Sequence, residues 1–144
     1  MAIEILNRAG IQCQVEDLNS LLTFAISELG LSAECDLDVL LVDEAEMTDL
    51  HVKWMDEPGP TDVLSFPMDE LRPHSKEAGI LGDIVICPSI ARAQAGEAGH
   101  SFSHEMSILS VHGLLHIVGY DHADLKGEKE MFELQESLVA RWKK

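Results

Sequence analysis

Two rhythms of apolar positions run along the chain, one with the period of a helix and one with the period of a strand. "IEIL" at 3–6 suits a first strand. In "VEDLNSLLTFAISELG", Val15, Leu18, Leu22, Ala25 and Leu29 recur at helical spacing, and Gly30 supplies a stop. "CDLDVLLVD" sets Leu37, Val39 and Leu41 against Asp36, Asp38 and Leu40, which predicts a strand with one well-buried face. "EAEMTDLHVKWM" reads as a helix capped by Asp43. Pro58, Gly59 and Pro60 then break the chain. "TDVLSF" and "GDIVIC" predict two further strands, separated by "PMDELRPHSKEAGI", a polar loop too long for a tight hairpin. A short helix is expected around "SIARAQAG", another from about Ser103 to Val118, and a last from about Asp124 to Trp142. Met131, Leu134 and Leu138 mark the core stripe of that last helix. The pattern is α/β (α+β): a single domain over residues 1–144, with a small mixed β-sheet packed with helices.

The helix expected at 103–118 differs from the others. Ile108, Leu109, Val111, Leu114, Leu115, Ile117 and Val118 cover nearly its whole circumference, the mark of a central, buried helix. Yet it carries two histidines, and "VHGLLHIVGYDH" at 111–122 holds three of the chain's seven. Positions four apart share a helix face, so His112 and His116 point at one spot. Gly119 can end the helix with a sharp turn that returns His122 over the same face. Three neutral imidazoles with one position left open is the ligand set of a catalytic zinc, which lowers the pKa of water to about 7. Imidazole-rich sites also take nickel, copper or iron, so the metal is Zn2+ or another divalent transition ion. The site would lie on the central buried helix. His104 is excluded from it, being about 12 Å along the axis from His112 at 1.5 Å per residue. His51, His74 and His100 lie in surface-like contexts.

The spacing is similar to the metzincin pattern H-E-x-x-H-x-x-G-x-x-H, with His112, His116, Gly119 and His122 in register. Gly113 stands where those proteases carry the glutamate that takes a proton from the metal's water. The cage is kept and the peptidase base is absent. A closer resemblance covers residues 37 to 125. "VHGLLHIVGYDH", "PTDVLSFP" at 60–67 and "LGDIVIC" at 81–87 resemble, in order and spacing, three blocks of the YbeY family of rRNA-maturation endoribonucleases. That resemblance implies a mixed-sheet α/β domain and one zinc ion held by His112, His116 and His122. It also implies single-strand-specific cleavage in 16S rRNA 3′-end maturation and ribosome quality control, and association with the small ribosomal subunit or its proteins. Many members carry an arginine five residues before the proline of "PTDVLSFP"; here that position is Met55.

Composition qualifies this picture. Twenty-six acidic against ten basic residues give a net charge of −16, which opposes broad adhesion to nucleic acid or membrane. Lys53, Arg72, His74, Lys76 and Arg92 form the one basic group before the C-terminal tail, and Arg72 and Lys76 are the candidate RNA contacts. Affinity for bare RNA should then be weak and improve on ribosomal particles. No apolar run is long enough to cross a membrane, and the N-terminus carries no signal-peptide pattern, so a cytoplasmic protein is expected. Cys13, Cys35 and Cys87 read as small buried hydrophobes.

Around the metal, His112 stands at the reaction centre, and Asp121 is the candidate to hold a ligand's second N–H. Asp83 is a second candidate, or equally a strand-start residue. Asp62 and Ser65 either line the cleft or serve backbone turns. Glu105 reads as an N-terminal helix charge. Three functions remain in play: a metal-dependent endoribonuclease, a metal-dependent peptide or amide hydrolase, and a non-catalytic metal-binding ribosome assembly factor. Gly113 weighs against the second, and the absence of a nearby fourth ligand against the third.

Overall fold

The computed structural model describes residues 2–121 and 124–143. Four strands and five helices lie among them: β1 (Ala2–Asn7), α1 (Val15–Glu28), β2 (Asp36–Leu41), α2 (Glu44–Met55), β3 (Val63–Pro67), β4 (Ile80–Ile86), α3 (Pro88–Ala98), α4 (Phe102–Ile117) and α5 (Leu125–Lys143). The strands form one mixed sheet in the order β1-β2-β4-β3. β1 with β2 and β2 with β4 pair in parallel, and β3 runs antiparallel to β4. The expected α+β single-domain architecture is the one observed. No helix among the described residues is long and apolar enough to cross a membrane.

Strand alternation assigns the two faces of the sheet. In β2, Leu37, Val39 and Leu41 are fully buried while Asp36 and Asp38 are exposed. Those three leucine and valine side chains join Ile84 and Ile86 of β4, the apolar stripe of α1 and Met106, Leu109, Val111, Leu114, Leu115 and Ile117 of α4 in the main core. On the opposite face a smaller cluster, Val42, Met47, Leu64, Val85 and Cys87, lies with Leu50 of α2 packed against it. α2 starts where Asp43 accepts a hydrogen bond from the amide of Glu46 (2.8 Å), as its sequence suggested. Cys35 and Cys87 are buried and Cys13 partly so, all three free; burial pushes the thiols of Cys13 and Cys87 above their ordinary values.

The long connection between β3 and β4 is less loop-like than its polarity suggests. Met68 and Asp69 donate backbone bonds to Leu81 and Ile80, so the antiparallel ladder runs on past Pro67. Leu71 is buried in the main core, and His74 donates its amide to the Leu29 carbonyl (2.8 Å). Two anchors therefore hold a segment whose polar side chains, Arg72 and Lys76 among them, face outward.

α4 is the hub, touching α1, α3, α5, β3 and β4. Ser101 caps its start by accepting from the amide of His104 (3.0 Å). Its approach to the sheet is unusually close at Gly113. A Cβ there would stand 2.8 Å from Ile84 Cγ2 and 3.2 Å from Ser65 Oγ, and the Ser65 hydroxyl donates to the Gly113 carbonyl (3.0 Å). A glycine costs the helix about 1 kcal/mol relative to alanine. Here the missing side chain is what lets helix and strand touch. Gly113→Ala should therefore destabilise by about 1 kcal/mol net, because overpacking of about 1–3 kcal/mol outweighs the helical gain. Gly113→Glu, which would restore the protease glutamate, should cost more than about 3 kcal/mol by adding a buried charge. Urea denaturation followed by circular dichroism checks both, and a Gly113→Glu chain as stable as wild type would overturn this account.

Candidate metal centre

The last two turns of α4 place His112 and His116 side by side at the mouth of a cleft of about 400 Å³. Their ring centroids are 4.7 Å apart and their Nε2 atoms 3.1 Å apart. Two nitrogens bound at 2.0–2.1 Å to a tetrahedral zinc stand about 3.3 Å apart, so the pair has the spacing of two ligands of one ion. The helix ends directly after them. The amides of Val118 and Gly119 close the helix onto Leu114 and His116, and Gly119 adopts φ 103°. That positive φ is the glycine turn expected from the sequence. His122, the third imidazole of the motif, lies outside the described residues.

A residue that sequence reasoning missed orients His112. Gln135 of α5 is buried, and its Oε1 accepts from His112 Nδ1 at 2.9 Å. With the proton fixed on Nδ1, the Nε2 lone pair is directed at the point His116 faces, which is the tautomer a metal ligand needs. The signal was present in α5: Met131, Gln135 and Leu138 share one buried stripe, and a glutamine in a core stripe demands a polar partner. Phe132, one residue from that stripe, sets its ring 6.3 Å from His112, with the planes 34° apart.

Asp62, Ser65, Met55 and Pro67 line the cleft with the two histidines. Asp62 serves the turn as well: its Oδ1 accepts from the amide of Val63 (2.7 Å). With its amide nitrogen facing the carboxylates, Gln94 of α3 donates to Asp62 Oδ2 (3.3 Å) and Glu105 Oε2 (3.2 Å). Glu105 Oε1 in turn meets His100 Nε2 at 2.5 Å. This corrects two expectations. Glu105 is more than a helix-end charge, since it is buried between two partners that tie α3, α4 and the start of β3 together. His100 is part-buried and paired, and so is His51, whose Nδ1 donates to the Gly59 carbonyl (2.9 Å). His104 touches Lys143 (2.5 Å); burial, then that ammonium, holds its pKa below the usual histidine value.

Asp83 is neither a strand-start residue nor a partner of the histidines. It sits in mid-β4, opposite Asp38 and Phe66, and alternation turns it with Val85 to the α2 face of the sheet, while Ile84 meets Gly113 on the other. Burial and then the Asp38 charge raise its pKa. Asp121 is exposed beside the undescribed His122.

The basic residues are dispersed over the molecule. Lys53 lies over the Trp54 ring (5.1 Å) and Arg92 over Phe102 (5.0 Å). Arg72 reaches the α4 terminus: a Cβ on Gly119 would stand 2.9 Å from its Nε. Lys76 is exposed four residues further along the same segment. Met55 lines the cleft and contributes no charge.

With zinc at the expected centre, replacing Gln135 by leucine should preserve the fold and weaken its binding about 10- to 100-fold, the usual consequence of losing a ligand's outer hydrogen bond. Gln135→Glu, which keeps an acceptor, should retain it. Competition against a chromophoric chelator reads both, and unchanged affinity in Gln135→Leu would remove Gln135 from the site.

The family described as Endoribonuclease YbeY matches residues 7–143. The chain is 53% identical to an endoribonuclease YbeY of Rhodococcus erythropolis over 99% of its own length and 82% of the relative's. It is 51% identical to that of Thermobifida fusca, covering 100% and 96%. A solution structure of a Thermotoga maritima protein superposes with a TM-score of 0.69 at 31% identity, covering 97% of this chain and 88% of the other. Its close-set α4, its paired histidines and the near-complete match place this chain in the endoribonuclease YbeY family.

Proposed function

We propose that the protein is a zinc-dependent endoribonuclease that cuts single-stranded RNA during 16S rRNA 3′-end maturation, working in the cytoplasm on the small ribosomal subunit. The observation that carries this reading is the convergence of His112 and His116 on a cleft, with no side chain on the helix position between them that serves a peptidase. His122 completes the ligand set. When bound, zinc supplies Lewis-acid stabilisation of a phosphodiester and an acidified water. The chain's own residues do the rest. Gln135 fixes the His112 tautomer, and the Ser65–Gly113 bond fixes the distance between the imidazoles and the opposite cleft wall. Arg72, seated on Gly119, takes the phosphate charge in place of the arginine that Met55 replaces, with the exposed Lys76 as a further contact.

A net charge of −16 weakens the encounter with bare RNA, so a ribosomal protein supplies part of the affinity. Peptide hydrolysis is disfavoured because the position of its base is filled by Ile84 and Ser65.

Elemental analysis of purified wild type should find about one zinc per chain, and His116→Ala should lose it. Wild type should cut single-stranded RNA and leave casein intact, while His116→Ala cuts neither. Wild type without stoichiometric metal would sink the metal assignment. Loaded protein that leaves RNA whole, on and off ribosomal particles, would favour a non-catalytic assembly factor.

A further inference from the structure

α5 carries an aromatic ring that its packing does not call for. Its buried stripe is Met131, Gln135, Leu138 and Val139. Phe132 lies about 100° round the helix from Met131, and it is 44% exposed. Its inner side is turned to His112, 6.3 Å between centroids and 34° between planes, so the ring borders the candidate centre while its outer side meets solvent.

We infer that Phe132 is the platform on which an unpaired base of the RNA substrate stacks, so that the residue selects single strands and sets the adjoining phosphodiester at the metal centre. The inference rests on the endoribonuclease reading above and adds the residue that recognises the base. Charge orients the strand. Residues four positions either side of Phe132 on its own stripe are Glu128 and Glu136, both exposed. Glu133 lies alongside, and it neutralises Lys129 through a 3.8 Å ion pair. Such a surface repels a phosphate backbone and tolerates the uncharged face of a base. The cation for the backbone stands elsewhere, at Arg72 on Gly119. A ring beside His112 thus serves the base, and a guanidinium on Gly119, three residues beyond His116, serves the phosphate. In a duplex both faces of an interior base are already stacked, so the ring has nothing to receive.

The test uses the full chain loaded with zinc and a short single-stranded RNA carrying 2-aminopurine, whose emission falls on stacking. Wild type should quench the probe and cut it. Phe132→Leu keeps an apolar side chain without a π-face; it should abolish the quench and raise KM about five- to hundredfold, the range set by base–aromatic stacking, with kcat affected less. Phe132→Trp should restore both, and the preference for single strand over duplex should shrink in Phe132→Leu alone. Metal content should be equal in all three. A Phe132→Leu enzyme with wild-type KM and quench overturns the platform. So does loss of zinc from that variant, which would mean that the ring only shields His112. Wild type that binds zinc and leaves the RNA intact would instead overturn the endoribonuclease reading, and the inference with it.

Discussion

Everything at the candidate centre depends on how closely one helix can lie on one sheet. α4 is apolar on nearly all sides and buried by five neighbouring elements, so its position is fixed by packing rather than by its own propensity. The closest point is Gly113, where any side chain would meet Ile84 and Ser65. A helix and a strand in direct contact, joined by the Ser65 hydroxyl, hold the two histidines beside Asp62, Ser65 and Pro67 without a flexible intermediary. Dense packing transmits small displacements directly, and a site built this way inherits the rigidity of the core.

The same contact clarifies what Gly113 means. Beside the metzincin pattern it reads as a lost glutamate. In the fold it is a residue with a packing role of its own, and the chemistry of a peptidase could not be added without moving the helix from the sheet. The base-poor helix face and the close packing are one feature seen from two sides.

Much of this was legible in the chain. Alternation in β2, the periodicity of α1 and the all-round apolarity of α4 reflect burial directly, and burial follows residue type. The His112–His116 pairing follows from helical geometry alone. Contacts between distant segments were not legible: Gln135 meets His112 across 23 residues, and only the register of α5 against α4 makes it a partner. Glu105, Gln94 and His100 come together for the same reason, from two helices and the turn between them. Asp83 was misread by proximity to a motif when strand parity, with Ile84 and Ile86 inward, already pointed it to the other face. Leu71 shows the opposite lesson, a single buried side chain that turns a polar stretch into an anchored one.

The ends of α4 add a final consequence. Peptide dipoles sum along a helix to about half a positive charge at its start and half a negative charge at its finish. The start holds the buried carboxylate of Glu105, and the finish holds His116, three residues before the positive-φ Gly119. The axis is therefore polarised to favour an anion at one end and a cation at the other. Sixteen residues of backbone bias the finish toward positive charge before any ligand atom is counted.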